Sequence, residues 1–460
     1  MKEYDLIVIG AGAGTKISTP AARLGKKVAI IEQEAVGGTC LNRGCIPSKM
    51  LIHPANVLTH YRSLTKHYIT PGQEAVDFAS LVNRINEAID HESDSAEVSY
   101  DSISTLDLYK GEAQFIDNHS VRVQEEVLTA PVIVIAVGSR PSIPPIPGLA
   151  DTPFMTSKEA LRNTTLPKKL IVIGGGYIGT ELGHAYQSYG TETVFFVRDC
   201  YLSREDKDVR TSFMEEFTKS HKTHFGTSNL AVTYEEGVFT VTGTSETGET
   251  ISETADALLV ATGVASNTDT LGLNNTDIKL TNRGFVAVND QLKSTVEGVY
   301  AIGESAGKFF FRHSANFEGE YLFNHLFGSQ EDAREPIKYP PMPHAVFSSP
   351  EIAAIGPTEE ELKEAGVPYV VGRNEYQHSA QGMARLPEVG FVKLLFHKET
   401  QELLAAHIIG EEASIMIHQL IQAMHHKATL DDILAVIYIH PTLPEVVRNA
   451  ARKAKTLLTE

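Results

Sequence analysis

The sequence predicts an α/β fold that contains two copies of a strand–glycine–helix unit and a separate α+β region at its C-terminus. Three observations indicate this architecture. The apolar runs 6–9 and 170–173 each end in a glycine cluster. Each cluster opens a helix-length segment that leads into another apolar run, which is the layout of a parallel βαβ unit. The composition then changes after the proline-rich run 340–343, where strand-like and helix-like segments follow one another.

Length, charge and cysteine content limit the classes of function that fit. A chain of 460 residues is long enough for several domains. Its 40 basic and 58 acidic residues give a net charge of −18, which disfavours nucleic acid and anionic membranes because both are negatively charged. Three cysteines do not form a disulfide framework, and no apolar run is as long as a membrane span. We therefore expect a cytoplasmic protein without a nucleic-acid or membrane partner.

The first unit carries the residues of a dinucleotide site, namely Gly10, Gly12, Gly14 and Glu32. The glycines admit a diphosphate to a helix N-terminus, and an acid about twenty residues further on accepts hydrogen bonds from a ribose. Two features depart from the pattern. Thr15 stands where the motif has its third glycine, and Pro20 falls inside the expected helix, where it removes a backbone hydrogen bond. The alternative is an ordinary glycine-rich turn between a strand and a helix.

The region between the two units is predicted to be helical over 52–104, with one long amphipathic helix over 76–97. Short strands follow, and the proline cluster 141–147 is a stiff connection that predicts the first domain boundary. Further boundaries are expected where the strand 257–261 closes at Gly263 and at the prolines after residue 338. These boundaries give the segments 1–147, 148–265, 266–338 and 339–460.

The second unit has a complete glycine motif, with Gly174, Gly176, Tyr177, Ile178 and Gly179. Its next strand ends at Arg198, and Arg204 follows six residues later. An acid at that strand end binds the ribose of NAD, whereas arginines accommodate the extra phosphate of NADP. The alternative is that these two arginines pair with nearby acids. We predict NADP, with NAD as the alternative; two dinucleotide units in one chain commonly hold a flavin and a nicotinamide.

The stretch 37–49, G-G-T-C-L-N-R-G-C-I-P-S-K, contains Cys40 and Cys45. Gly44 allows a turn tight enough to bring the two sulfurs together. A disulfide across so short a loop stabilises a fold little, so an exchangeable redox disulfide is a better explanation. Pro47 suits a first helical turn, and the N-terminus of that helix favours a thiolate at Cys45. The alternatives are two buried thiols or half a metal site, but no second cysteine pair completes such a site.

Together these motifs resemble the group I pyridine nucleotide-disulfide oxidoreductases, a family that includes dihydrolipoamide dehydrogenase, mycothione reductase and glutathione reductase. The resemblance covers the whole chain. The stretch 37–49 is similar to the family's redox disulfide, and A-V-G-S-R-P at 136–141 to a loop of its FAD domain. Y-A-I-G-E at 300–304 is similar to its second flavin motif, and H-P-T-L-P-E at 440–445 to its catalytic His–Glu pair.

The resemblance implies two Rossmann-like domains and a C-terminal α+β dimerisation domain. Segments 1–147 and 266–338 would form the FAD-binding domain, 148–265 the NAD(P)-binding domain and 339–460 the interface domain. Besides the first glycine motif, the implied flavin contacts are Gly38, Thr39, Lys49, Ala113, Gly138, Ser139, Gly303 and Glu304. Glu304 stands where the family usually has an aspartate. Gly263 is expected in the coenzyme site.

The resemblance also implies catalytic roles. Cys45 would face the flavin, and Cys40 would attack a small-molecule disulfide. Lys49 and Glu181 would pair beside the reactive nitrogen of the flavin, and Tyr177 would cover the nicotinamide pocket. No metal is expected in the site.

His440 and Glu445 are the expected acid–base pair. In the resemblance, His440 acts from the other subunit of a homodimer, which makes a dimer obligatory for catalysis. The residue chemistry agrees, because a thiolate nucleophile needs a nearby base and a carboxylate five residues on can orient an imidazole. The expected function is therefore an FAD-dependent enzyme that passes electrons between NAD(P)H, the Cys40–Cys45 pair and a low-molecular-weight thiol or disulfide.

The sequence leaves the subfamily open. C-I-P-S-K and H-P-T-L-P-E favour an enzyme like dihydrolipoamide dehydrogenase, whereas Arg198 speaks against it. R-H-S-A-N-F-E at 312–318 and the shortened first motif favour an NADPH-dependent reductase of the mycothione or glutathione type. A non-catalytic flavoprotein redox sensor would not need the cysteines and the His–Glu pair together. A flavin-dependent oxidase or peroxidase would not need the paired thiols.

Overall fold

The chain folds as two units. The structure is a computed structural model that describes residues 1–329, 331 and 335–459. One unit comprises Met1–Ser48, Ser80–Ser142 and Gly263–Lys338, and the other comprises Lys49–Ala79, Ile143–Thr262 and Tyr339–Glu460. Residues 49–79 thus belong to the second unit, although they lie within the segment 1–147 of the sequence-based division, and that four-part division stays a prediction.

The helices are α1 Thr15–Arg23, α2 Gly38–Arg43, α3 Cys45–Arg62, α4 Phe78–Asp101, α5 Ser157–Ala160, α6 Tyr177–Ser188, α7 Lys207–Phe217, α8 Arg312–Phe327, α9 Glu359–Glu364, α10 Ala380–Arg385, α11 Ala413–His425, α12 Leu430–Ala435 and α13 Glu445–Thr459. The strands are β1 Lys2–Glu3, β2 Leu6–Ile9, β3 Val28–Glu32, β4 Leu106–Lys110, β5 Ala113–Phe115, β6 Ser120–Val123, β7 Glu126–Thr129, β8 Val132–Ile135, β9 Ser139–Pro141, β10 Lys169–Ile173, β11 Glu192–Val197, β12 Lys222–Phe225, β13 Ser228–Glu235, β14 Val238–Thr244, β15 Thr250–Ala255, β16 Ala257–Val260, β17 Val264–Ser266, β18 Val299–Ala301, β19 His344–Val346, β20 Ile352–Ile355, β21 Tyr369–Glu375, β22 Phe391–His397 and β23 Leu403–Ile409.

The first unit is built on a parallel sheet in the order β18-β8-β2-β3-β4. Its central strands are fully buried, as their continuous β-branched runs predict for strands covered on both faces. Helix α1 packs on β2 and β3 and against α8. A smaller sheet, β1-β7-β6-β5, and the pair β17-β9 complete the unit. The carboxyl ends of β2, β3, β8 and β18 therefore meet along one edge, where ligands bind in such sheets.

The second unit contains a parallel sheet, β12-β11-β10-β16, and two antiparallel sheets, β13-β14-β15 and β19-β20-β23-β22-β21. Helices α11 and α13 pack on the five-stranded sheet. Helix α13 lies close to β21, because a Cβ at Gly372 would be only 2.1 Å from the carbonyl oxygen of Ala450. This packing positions α13 on the sheet, and Glu445 is the first residue of that helix.

Several predicted elements are confirmed. Helix α3 begins at Cys45, and the long helix predicted over 76–97 is α4. Pro20 lies inside α1, which nevertheless continues to Arg23. The helical prediction for 52–104 was wrong for residues 68–77 and 102–104, which lie in neither a helix nor a strand. Within the described part of the chain, none of the helices combines the length and the apolarity needed to cross a membrane.

Candidate active site

A cavity lies at the carboxyl ends of the strands of the parallel sheet in the first unit. Residues at or just after the ends of β2, β3, β8 and β18 line it. It contains most of the residues predicted to bind FAD, namely the glycines Gly10, Gly12, Gly38, Gly138 and Gly303 and the side chains of Glu32, Thr39, Ala113 and Glu304. Sequence reasoning therefore located one contiguous site from positions that are up to about 290 residues apart.

Two backbone segments approach each other closely in this cavity. Gly38 has a φ of +68°, and a Cβ placed there would lie 2.7 Å from Cα of Gly12. A side chain at Gly38 would therefore displace the backbone of Gly12, and this glycine allows the two segments to lie in contact at the cavity.

Gly14 has a different role from the one predicted. It does not line the cavity; a Cβ there would lie 2.4 Å from the carbonyl oxygen of Gly10 and 2.5 Å from the side chain of Val8. In the second unit, a Cβ at Gly179 would lie 2.5 Å from the carbonyl oxygen of Gly174. Gly14 thus makes the close helix–strand packing of the motif's third glycine, one position earlier than the pattern, which explains why Thr15 is tolerated.

Glu32 and Glu304 are the two acids of the cavity. Glu32 accepts hydrogen bonds from the backbone N–H of Ala11 at 2.9 Å and of Glu34 at 3.0 Å. The hydroxyl of Ser139 donates to Glu304, so Ser139, which does not line the cavity, acts through that acid. Burial raises the pKa of both carboxyl groups. Acceptors of this kind suit the hydroxyl groups of a ribose or ribityl chain, so these residues fit an FAD.

The two cysteines lie at the same cavity. Cys40 is in α2 and half-buried, whereas Cys45 is exposed at the first position of α3. A Cβ at Gly44 would lie 2.8 Å from the carbonyl oxygen of Thr39 and 3.2 Å from Cα of Cys40. The tight turn predicted at Gly44 is therefore confirmed, and it holds both sulfur-bearing positions against the proposed flavin site.

Lys49 and Glu181 lie together in the second unit. Lys49 Nζ is 2.7 Å from Oε2 of Glu181, and Oε1 of Glu181 accepts the N–H of Phe347 at 3.0 Å. The ammonium group of Lys49 also lies 4.5 Å from the centre of the Phe347 ring. The predicted pairing is present. Lys49, also predicted as a flavin contact, is not among the residues that line the cavity of the first unit.

Tyr177 begins helix α6, directly after Gly176. Its hydroxyl donates to Glu205 at 2.6 Å, and His344 Nε2 lies 2.9 Å from the same carboxylate. The rings of Tyr177 and His344 stack, with their centres 6.0 Å apart. Burial raises the pKa of Tyr177. Burial also opposes the ionisation of Glu205, but the bonds from His344 and Tyr177 keep its pKa below the usual value. Sequence reasoning assigned neither Glu205 nor His344 to this tyrosine.

The remaining predicted coenzyme residues lie near the ends of β10, β11 and β16. Gly174, with a φ of +122°, would place a Cβ 2.2 Å from the carbonyl oxygen of Ala261, and Ile178 is partly exposed. Gly176 has open space beside it. Gly263 belongs to the first unit, where its carbonyl accepts the N–H of Ser142.

The two arginines predicted to bind the phosphate of NADP, Arg198 and Arg204, are exposed. The side chain of Arg198 is 93% exposed and forms an ion pair with Asp199, at 3.0 Å. Within the described residues Arg204 forms no ion pair. The other neighbouring acids are engaged elsewhere: Glu205 binds Tyr177 and His344, and Asp206 and Asp208 both bind the buried Lys393.

His440 is held by Glu445, as predicted. Nδ1 of His440 lies 3.0 Å from Oε2 of Glu445, and the imidazole is 70% exposed while the carboxylate is buried. Burial opposes the ionisation of Glu445, but hydrogen bonds from the N–H of Thr442, from His440 and from Arg448 hold its pKa below the usual value. Arg448, which sequence reasoning did not identify, donates to Oε1 of Glu445 at 2.7 Å. A carboxylate bound in this way orients the imidazole and leaves Nε2 for proton transfer.

Comparison with known proteins identifies the family. A family described as pyridine nucleotide-disulphide oxidoreductase matches residues 4–319, and its dimerisation domain matches residues 342–451. The chain belongs to the pyridine nucleotide-disulphide oxidoreductase family. Its members include dihydrolipoyl dehydrogenase of Bacillus subtilis, 36% identical over 98% of this chain and 96% of the relative, and mycothione reductase of Mycobacterium tuberculosis, 34% identical over 98% and 99%.

A solved structure has the same fold. The Cu(II) complex of RclA, an HOCl-induced flavoprotein disulfide reductase of Escherichia coli, superimposes with a TM-score of 0.87 at 25% identity, covering 98% of this chain and 99% of that one. The pyridine nucleotide-disulphide oxidoreductase described here is therefore an FAD-dependent enzyme that uses NAD(P)H. Its dimerisation domain indicates a homodimer.

Proposed function

We propose that this enzyme transfers electrons from NADPH, through FAD and the pair Cys40–Cys45, to a low-molecular-weight disulfide in the cytoplasm. The observation that carries the coenzyme assignment is the exposure of the Arg198 and Arg204 side chains. Both are exposed after β11, where an NAD-binding unit has an acid, and most neighbouring acids are occupied by other partners. Two accessible guanidinium groups suit the additional phosphate of NADP.

The cysteine pair supplies the nucleophile. Bound FAD would carry electrons between the nicotinamide and this pair. The first turn of α3 stabilises a thiolate at Cys45, because the N-terminus of a helix is electropositive. Cys40 is the thiol proposed to attack the substrate disulfide, which yields a mixed disulfide and a departing thiolate. Lys49, one turn after Cys45 in α3, and Glu181 are proposed to serve hydride transfer.

His440 and Glu445 supply the proton. The hydrogen bond from Nδ1–H to Glu445 leaves Nε2 of His440 able to take a proton from a cysteine thiol and give it to the departing thiolate. The exposed apolar side chains Val436, Ile437 and Ile439 precede His440. Such a surface supports the proposal that this segment is covered by a second copy of the chain, so that His440 of one subunit serves the cysteines of the other.

A second candidate is the oxidation of a dihydrolipoamide-like dithiol with NAD⁺. It is favoured by the C-I-P-S-K version of the redox motif and by the identity to dihydrolipoyl dehydrogenase of Bacillus subtilis. In this reaction electrons pass through the same residues in the opposite direction, from the dithiol to NAD⁺.

One panel separates the two candidates. Purified holoenzyme is assayed with NADPH and NADH against lipoamide, glutathione disulfide and mycothiol disulfide. We expect NADPH to give the higher kcat/KM. In Arg198→Glu, the ratio of kcat/KM with NADPH to kcat/KM with NADH should fall at least about tenfold. A higher kcat/KM with NADH in the parent enzyme would contradict the coenzyme assignment. The disulfide with the highest kcat/KM identifies the substrate class.

A further inference from the structure

Arg312 is a cation in the flavin cavity to which sequence reasoning gave no role. It is the first residue of α8 and lines the cavity together with Gly12, Gly38 and Phe311. Its Nη2 lies 3.4 Å from the carbonyl oxygen of Gly12, and a Cβ at Gly12 would lie 3.4 Å from its Nη1. The guanidinium group is thus directly beside Gly12, which is in contact with Gly38.

The charges of the cavity leave Arg312 without a counter-ion. Its charged lining residues are Glu32, Glu304, Arg43 and Arg312. Arg43 forms an ion pair with Glu34. Across the described ranges, Arg312 forms no ion pair, and its hydrogen bond to Gly12 is long. A half-buried guanidinium with five donors is therefore available to an anion.

Some of the backbone N–H groups in the first turn of α1 are already engaged within the helix. In the first turn of α1, the N–H groups of residues 15–17 donate to the carbonyl oxygens of residues 12–14. These three N–H groups donate within the helical turn, so they cannot bind a phosphate at the same time. A diphosphate at this position carries two negative charges and would lie in a cavity with two carboxyl groups, so a neighbouring cation would stabilise it.

We propose that Arg312 binds the diphosphate of FAD and supplies the positive charge that the shortened glycine motif does not. A guanidinium matches phosphate oxygens with two parallel hydrogen bonds, which an ammonium or a backbone N–H cannot do alone. The proposal rests on the proposed placement of FAD in this cavity. It goes beyond the glycine motif because it assigns the diphosphate to a side chain of α8, 300 residues later in the sequence than Gly12.

The test measures ligand affinity rather than turnover. Apoprotein is prepared from the purified enzyme, and dissociation constants are measured by calorimetry for FAD, ADP and adenosine. Arg312→Gln is compared with the parent, with Arg312→Lys and with Arg23→Gln, which removes an exposed arginine at the end of α1. We expect Arg312→Gln to weaken FAD and ADP about 10- to 100-fold, because a charged hydrogen-bonding partner of the diphosphate is lost. Adenosine should bind unchanged, Arg312→Lys should recover part of the loss, and Arg23→Gln should match the parent.

Equal affinity of the parent and Arg312→Gln for FAD and ADP would overturn the inference. If Arg312→Gln does not fold, as judged by circular dichroism, Arg312→Met keeps the aliphatic stem and is measured in its place. The placement of FAD has its own test, Glu32→Gln. If Glu32→Gln weakens FAD while Arg312→Gln does not, the role of Arg312 is wrong and the placement stands. If neither variant changes FAD affinity, the placement is wrong and the inference fails with it.

Discussion

Lys49 Nζ lies 2.7 Å from Oε2 of Glu181, across 132 residues of sequence. Glu181 is buried, with 9% of its side chain exposed, whereas Lys49 is 37% exposed. The N–H of Phe347 binds the other carboxylate oxygen, so Glu181 is fixed from two directions and holds the ammonium group in one place. A fixed charge of this kind acts on a neighbouring reaction without a cost of reorganisation.

Replacement of Lys49 by Met tests the role proposed for this pair. We expect kcat to fall about 10- to 100-fold, because one charged hydrogen bond is lost at the proposed site of hydride transfer while Glu181 keeps its bond to Phe347. Stopped-flow absorbance of flavin reduction by NADPH measures the step. The matched control is Lys293→Met, which breaks an exposed pair with Glu297. Unchanged flavin reduction in Lys49→Met would contradict the role.

Cys40→Ser and Cys45→Ser should each abolish disulfide turnover, with a loss of at least about a thousandfold, because a hydroxyl does not exchange with a disulfide. Both variants should retain FAD and still accept electrons from NADPH. Cys200→Ser is the matched control, since this half-buried thiol is not among the residues that line the cavity, and it should turn over like the parent. Disulfide turnover by Cys40→Ser would refute the proposed attack by Cys40.

His440→Gln should lower kcat about 100- to 10,000-fold, the usual contribution of a general acid–base. Glu445→Gln keeps a hydrogen bond to the imidazole but removes the charge that stabilises its cation, so a smaller loss and a shifted pH profile of kcat are expected. His426→Gln, a change at an exposed histidine, is the control. Profiles of kcat against pH that coincide for Glu445→Gln and the parent would contradict this coupling.

Mixing of subunits tests whether the site is shared. Cys40→Ser and His440→Gln proteins are mixed, denatured and refolded together with FAD. If the site combines His440 of one subunit with Cys40 of the other, each mixed dimer regains one intact site, and about one quarter of the parent activity returns after random pairing. If each subunit uses its own His440, the mixture stays inactive.

Glu32→Gln should weaken FAD binding about tenfold, because the buried acceptor of the cavity loses its charge while its bonds to Ala11 and Glu34 weaken. The measurement is the dissociation constant of the apoprotein for FAD. Glu126→Gln, at an exposed acid of β7, is the control. An unchanged constant would mean that FAD does not use this cavity.

Two buried histidines make stability depend on pH. Burial lowers the pKa of His184 to about 4; burial, with His184 as a neighbour, lowers that of His221 to about 3. As pH falls below about 6.5, the unfolded chain binds protons that the folded chain does not, so each group destabilises the fold by about 2 kcal/mol between pH 7 and 5. The thermal midpoint should fall over this range. His184→Gln should flatten the dependence and His426→Gln should not; parallel curves for His184→Gln and the parent would contradict this account.

Local patterns predicted much of the architecture. The glycine clusters, the start of α3 at Cys45 and the long helix α4 all depend on neighbouring residues, whose spacing is visible in the sequence. The packing role of Gly14 could not be predicted from the glycine pattern. Its position conflicted with the motif, and only the approach to the carbonyl oxygen of Gly10 shows that it makes the helix–strand contact one residue early.

The sequence by itself indicated two dinucleotide-binding units and a candidate redox cysteine pair, because those motifs are short and depend on residue type and spacing. The order of all the motifs along the chain carried the resemblance to the oxidoreductase family. The tertiary structure decided which distant charges meet. Glu205 and His344 join at Tyr177, Arg448 fixes Glu445, and Arg312 reaches the glycines near the start of the chain. No local pattern predicts such contacts, since any of the many exposed or buried charges could meet a given site, and packing alone selects which ones do.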